Sequence, residues 1–151
     1  MAGLAHLVVG GQRQAQLDQL VGLGLAMVEA RGGVMGANPD ARMRLTPAAA
    51  LQALADVPEG PPFRTLLRHG SLEVEIYQPV GEDLQMPHAR DEVYVVIAGR
   101  GDFVYAGERQ AFEAGEVLFV PAGIEHRFEN FSDDFSTWVL FYGPQGGEKD
   151  E

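Results

Sequence analysis

The chain contains no cysteine among its 151 residues. Disulfide bonds, thiolate nucleophiles and thiolate metal sites are therefore excluded. Positive charge is also scarce, since 11 Lys and Arg residues stand against 22 Asp and Glu residues and give a formal net charge of −11. Such a charge argues against nucleic acid or an anionic membrane as a partner and is compatible with a neutral or cationic small ligand. The longest apolar run, 20–28, is far shorter than the roughly 20 residues of a membrane-spanning helix.

Length and composition indicate one domain between two dissimilar ends. The chain is 46% hydrophobic and 22% charged, which is typical of a soluble globular protein with one core. Residues 1–42, rich in Ala, Gly, Leu and Gln, are interpreted either as a helical extension or as an over-extended start before Met43. We expect a single domain over 43–145 and a flexible tail over 146–151. The first residues are a poor secretory signal, so a cytoplasmic location is expected.

One short helix is predicted first, and only strands follow it. Thr46 is a good N-cap, Pro47 suits the first helical position, and 48–57 contains good helix formers. Beyond it, short apolar segments alternate with turn residues, a pattern typical of an all-β closed or double-sheet architecture. The predicted strands are 63–67, 71–78, 92–98, 102–105, 110–112, 116–120, 126–130 and 136–142.

The most informative motif begins in the turn before the sixth predicted strand. Gly115, Pro121, Gly123, His126 and Asn130 have the spacing G-x5-P-x-G-x2-H-x3-N. The glycines permit tight turns and the proline helps to reverse the chain, so that the histidine begins the next strand. The motif therefore places a histidine at the rim of a β structure.

A second group of ligand-type residues lies about thirty residues upstream. His88 and Glu92 are four apart on a segment predicted to be extended, so both side chains can point to one side, and Gly99 follows them. The two motifs together resemble the cupin superfamily, whose first motif is G-x5-H-x-H-x3,4-E-x6-G. Gly81 lies one residue away from the family spacing, and Met86 occupies the position of the first histidine.

This resemblance covers 63–143 and implies a cupin jelly roll, a double-stranded β-helix barrel, with a metal ion held by His88, Glu92 and His126. Two imidazoles and one carboxylate leave coordination positions open, which suits non-haem Fe(II) best and also accommodates Mn, Ni or Zn. A metal-free cupin pocket is the alternative, and Met86 favours it, because a thioether is a poor ligand for a hard cation.

Two further interpretations of the same segment remain open. Gln85 becomes a fourth ligand only if Pro87 shifts the local register. Tyr94 shares the strand parity of Glu92 and is either a proton donor or acceptor beside the metal or a core aromatic residue with a satisfied hydroxyl. Parity also predicts a largely apolar inner face. Its other predicted members are the pocket residues Leu84, Met86, Val96 and Phe128, with Ala98 and Asn130.

Two classes of function fit these expectations. The first is an enzyme acting on a small organic molecule, by metal-dependent oxygenation or isomerisation, and the second is a non-catalytic module that binds or senses a metabolite. A homodimer is also expected, because a single double-sheet domain leaves an edge and an apolar outer face uncovered, here around Leu72, Val74 and Ile76.

Overall fold

The computed structural model describes residues 44–149, which form one helix and eight strands. Helix α1 spans Pro47–Ala55, and the Thr46 side chain caps it by accepting a hydrogen bond of 3.3 Å from the Ala49 amide. The predicted N-terminus of the helix is thus confirmed, and the helix ends two residues before the predicted end, at the C-cap Asp56. The predictions for 1–42 lie outside the described residues, as does the status of Met43.

All eight predicted strands are present, with boundaries that differ by a few residues. They are β1 (Phe63–His69), β2 (Leu72–Tyr77), β3 (Asp91–Ala98), β4 (Arg100–Tyr105), β5 (Glu108–Glu113), β6 (Val117–Val120), β7 (His126–Glu129) and β8 (Ser136–Tyr142). Within 44–149, no helix is long and apolar enough to cross a membrane.

The strands of residues 44–149 form two antiparallel sheets. The five-stranded sheet has the order β1-β2-β8-β3-β6, and the three-stranded sheet has the order β5-β4-β7. The predicted fold class is therefore confirmed in its coarser form, mostly strands with one short helix. Over this part of the chain the structure shows two separately hydrogen-bonded sheets where one closed barrel was predicted.

Aromatic side chains fill the space between the two sheets. Tyr94 on β3 packs edge-on against Phe128 on β7, with ring centroids 5.0 Å apart, and Phe103 on β4 lies 5.1 Å from Phe128. All three are at most 5% exposed. Such contacts add to the hydrophobic gain of burying large rings, so this cluster holds the two sheets face to face.

Gly99 directly follows β3 and has a conformation that excludes a side chain. Its φ is +86°, and a Cβ atom placed there would lie 2.6 Å from the Cα atom of Phe135. Phe135 is fully buried, so its backbone cannot move aside. This position therefore requires glycine for two reasons: the positive φ disfavours any other residue, and a Cβ atom would collide with Phe135.

The chain beyond the last strand donates hydrogen bonds to the residues around the start of β3. The Gly146 amide donates a 2.7 Å hydrogen bond to the Ala89 carbonyl, and the Glu148 amide donates one of 2.7 Å to Asp91. Asp91 is only 4% exposed. Within the described part of the predicted tail, two backbone amides thus donate to residues at or just before the start of β3.

Candidate metal centre

The structure brings the three predicted metal ligands together. His88 lies in the irregular segment before β3, Glu92 is the second residue of β3, and His126 is the first residue of β7. One potential ligand atom from each side chain lies within 4.8 Å of the others. Since β3 and β7 belong to different sheets, the cluster spans the two sheets at one end of the aromatic core.

His88 is positioned by backbone contacts rather than by a strand. The Gly123 amide donates a 2.8 Å hydrogen bond to the His88 carbonyl. The neighbouring Arg90 guanidinium donates to Glu73 at 2.7 Å and lies 5.6 Å from the centre of the Phe141 ring. Gly123 of the second motif thus holds His88 of the first motif in place, and the same turn leads into the second motif's own histidine, His126.

Hydrogen bonds to the backbone determine which nitrogen of each histidine faces the cluster. Nδ1 of His88 lies 2.6 Å from the Arg90 carbonyl oxygen, and Nδ1 of His126 lies 2.8 Å from the Ile124 carbonyl oxygen. Because a carbonyl oxygen can only accept, both Nδ1 atoms carry the proton. In the neutral imidazoles both Nε2 atoms therefore have a free lone pair directed toward Glu92.

The Nε2 atoms and the Glu92 carboxylate leave hydrogen-bonding capacity unused. His88 Nε2 and Glu92 Oε2 are buried and have no hydrogen-bond partner, although they are in contact with each other. His126 Nε2 lies 3.1 Å from the same Glu92 oxygen. Buried polar atoms in this state are costly unless a proton or a cation lies among them. Two imidazole nitrogens and one carboxylate oxygen are a donor set that fits a divalent cation.

The charges of the cluster oppose the effect of burial. Burial acts to raise the pKa of Glu92, but its interactions with His126 and His88 outweigh burial and lower that pKa. Burial acts to lower the pKa of His126, but the contact with Glu92 and the hydrogen bond to Ile124 raise it. Glu92 is therefore an ionised carboxylate at neutral pH, the form that binds cations.

Tyr94 lies beside the cluster, as predicted by strand parity. Its ring is fully buried, and its hydroxyl oxygen is 2.9 Å from His126 Nε2 and 2.7 Å from Gln85 Oε1. Burial raises the pKa of Tyr94 well above its ordinary value, and the charge of Glu92 raises it further. At neutral pH the side chain is a neutral phenol.

The predicted inner-face residues divide into two groups. Val96 and Phe128 are inside, at 2% and 1% exposure, whereas Leu84 is half-buried and Met86 is 58% exposed. The inward position predicted for Met86 is therefore wrong in this structure. Residues 78–90 form no strand, so the alternation that relates Met86 to His88 does not apply.

Two smaller corrections have similar causes. Asn130 is exposed, with φ +50°, because β7 ends one residue earlier and the amide side chain donates to Asp102 instead of facing inward. Ala98 follows a break in the β3–β8 register after Val96 and is only half-buried.

Gln85 and Asp83 take the place that was predicted for Met86. Gln85 contacts the Tyr94 hydroxyl, and Asp83, 6% exposed, binds the Gln85 amide group. Sequence analysis gave no role to Asp83, because an acidic residue two positions after Gly81 is typical of an exposed turn. The useful signal is the absence of apolar alternation over 78–90, which points to a loop that supplies side chains individually.

Fold and site together define a class of protein: a strand-dominated, two-sheet domain with a buried His/Glu cluster at one end of its core. Comparison with known proteins identifies the family. The family profile described as "Cupin domain" matches residues 73–142. The uncharacterised protein SCO3923 of Streptomyces coelicolor is 37% identical over 85 residues, which are 55% of this chain and 81% of the relative. The chain belongs to the cupin family.

Solved structures share the same fold at lower identity. Protein NMB1881 from Neisseria meningitidis is 22% identical, with a TM-score of 0.52 over 67% of this chain and 100% of that chain. A Cupin 2 conserved barrel domain protein from Salinispora arenicola is 19% identical, with a TM-score of 0.50 over 68% of this chain and 89% of that chain. At this identity the two structures support the fold alone.

Proposed function

We propose that this cupin binds one divalent metal ion through His88, Glu92 and His126 and acts on a small organic molecule there. The observation that carries the proposal is the direction of the two imidazoles. Both are held through Nδ1 by backbone carbonyl groups, which leaves both Nε2 lone pairs directed at one buried carboxylate. Fe(II) suits this donor set best, and Mn, Ni and Zn are also accommodated.

The surroundings of the cluster favour a ligand that approaches from the His88 side. Tyr94, Phe103 and Phe128 exclude water from the core side, whereas the His88 side chain retains 15% exposure. The ring of Phe141 lies 5.2 Å from the His88 ring and supplies an apolar contact at this opening. The net charge of −11 favours neutral or cationic molecules over anions.

Metal-dependent oxygenation or isomerisation is the chemistry we propose for the site. A divalent cation bound there supplies Lewis-acid polarisation of a coordinated oxygen atom or, if it is iron, activation of dioxygen. The protein's own contribution is to orient the ligand side chains, to exclude water from the core side and to place the Tyr94 hydroxyl beside His126. Because its pKa is high, the Tyr94 hydroxyl keeps its proton at neutral pH and serves mainly as a hydrogen-bonding group.

Non-catalytic binding of a small metabolite is the second candidate. The observation that favours it is the same neutral, fully buried phenol, which retains its proton at neutral pH and so is poorly matched to proton transfer. Metal identity separates the two proposals. Iron in protein purified without a metal-affinity tag would support oxygenation, zinc or nickel would support isomerisation, and protein that takes up no metal would leave only the binding function.

Single substitutions of the ligands test the site directly. His88→Ala, Glu92→Gln and His126→Ala should each weaken metal binding by at least about 100-fold. Loss of a residue that merely hydrogen-bonds to a metal ligand already lowers metal affinity about 10- to 100-fold. The measurement is metal stoichiometry and affinity, with circular dichroism to verify folding. His69→Ala, an exposed histidine at the end of β1, is the matched control and should bind metal normally. Stoichiometric metal in all three ligand variants would show that the site is wrong.

A further inference from the structure

A buried carboxylate next to the proposed metal centre is fully engaged in hydrogen bonds. Asp83 Oδ1 accepts hydrogen bonds from the Tyr77 hydroxyl at 2.5 Å and from the Gln85 backbone amide at 3.1 Å. Its Oδ2 accepts from the Phe128 amide at 2.7 Å and from the Gln85 side-chain nitrogen at 2.7 Å. Four donors thus converge on one side chain that is 6% exposed, and both of its carboxylate oxygens act as acceptors.

This arrangement fixes the orientation of the Gln85 amide. Because both Asp83 oxygens accept from backbone N–H groups, the NH2 group of Gln85 faces Asp83 as a further donor, and the Gln85 oxygen faces Tyr94. The Tyr94 hydroxyl has a single proton, and at 2.7 Å the Gln85 oxygen can only receive it. The phenol oxygen then lies 2.9 Å from His126 Nε2 without a proton to donate to it.

Glu92 and His126 are the competing acceptors for the same proton. Both offer lone pairs close to the Tyr94 hydroxyl, and these are the lone pairs that a metal ion requires. A phenol that donates to either one would oppose metal binding. A phenol that donates to Gln85 leaves both free, so the acceptor on Gln85 removes a competitor from the site.

We infer that Asp83 and Gln85 are positioning residues that direct the Tyr94 proton away from the metal ligands. The inference rests on the proposed metal centre and specifies how the lone pairs of its ligands are kept free for a cation.

The orientation of Gln85 can be measured without any metal. In the metal-free protein, NMR should show the Gln85 side-chain NH2 protons close to the Phe128 amide proton, because both groups donate to the same Asp83 oxygen. If these protons instead lie near the Tyr94 ring, the amide is reversed and the inference is overturned.

A double-mutant cycle with Co²⁺ tests the consequence for the site. Gln85→Leu should weaken Co²⁺ binding by about five- to tenfold, the equivalent of one hydrogen bond, because the freed phenol proton then competes for the ligands. In the Tyr94→Phe background the same change should cost less than about twofold, since no proton remains to redirect. Gln52→Leu, on the exposed surface of α1, is the control and should have no effect in either background.

Two results of the cycle would overturn the inference: equal loss in both backgrounds, which indicates packing alone, and no loss in either. Gln85→Met repeats the cycle if the leucine variant does not fold. A wild-type protein that binds no Co²⁺ would refute the proposed function instead, and the NMR contact between Gln85 and Phe128 would still decide the orientation.

Discussion

Replacement of Gly99 by alanine isolates the cost of close packing at the end of β3. A matched control exists at Gly107, because the two glycines have φ values of +86° and +87°, whereas a Cβ atom at Gly107 would meet nothing within 4 Å. Left-handed backbone conformation costs an L-residue roughly 1–2 kcal/mol. The alanine also lowers the conformational entropy of the unfolded chain, which stabilises the folded variant by about 0.4–1 kcal/mol. Both effects apply equally to the two sites and cancel in the comparison.

The steric contribution remains at Gly99 alone. Its Cβ atom would lie 2.6 Å from Phe135 Cα, a backbone atom held in the aromatic core, and overpacking of this kind typically costs about 1–3 kcal/mol. Gly99→Ala should therefore be less stable than Gly107→Ala by that amount, or by several degrees in Tm for a domain of this size. Urea unfolding followed by the fluorescence of Trp138, the single tryptophan, measures the difference. Equal destabilisation of the two variants would refute the packing role of the motif glycine.

Two further predictions concern the inner and outer faces of the five-stranded sheet. Burial raises the pKa of Glu75, so the contribution of Glu75 to the free energy of unfolding should be highest below its ordinary pKa near 4.5 and fall as pH rises through the folded value. Measured against wild type by urea unfolding over this pH range, Glu75→Gln should lack that fall. We also propose that two copies of the chain pair through β6. Val117 and Phe119 on this strand are 64% and 50% exposed. Because the protein has a net charge of −11, two copies associate more easily through an uncharged surface such as this one. Light scattering should give about twice 16.4 kDa, and Phe119→Lys should halve it; a monomeric wild type would contradict this.

This proposed dimer surface differs from the one expected from the sequence. The expected patch included Ile76, which is fully buried. Arg64, the β1 partner of Ile76, reaches the Ala53 carbonyl of α1, so the helix lies over this part of the outer face. Alternation along β2 could not show the covering helix, because its docking position depends on tertiary contacts that the local pattern does not contain.

The parts of the fold and site that could be predicted are those governed by local chemistry. Turn glycines and strand alternation placed Glu92, Tyr94 and His126 correctly, because each requires only a regular strand and a tight turn. Residues 78–90 could not be predicted in the same way. Their conformation depends on hydrogen bonds to distant partners, such as the Phe128 amide that binds Asp83, and so Met86 was assigned to the interior in place of Gln85.

Asp83 also has a consequence for the thermodynamics of ligand capture. Its carboxylate joins Tyr77 on β2 to the Phe128 amide on β7, and it does so through protein groups alone. The loop that carries His88 is thus held to both sheets before any cation arrives. Little conformational entropy is then left to lose on binding, in contrast to small zinc domains whose folding free energy comes from the metal. At the proposed metal centre, metal exchange would then require no unfolding of the domain, so metal availability, and not the folding of the chain, would decide which ion binds.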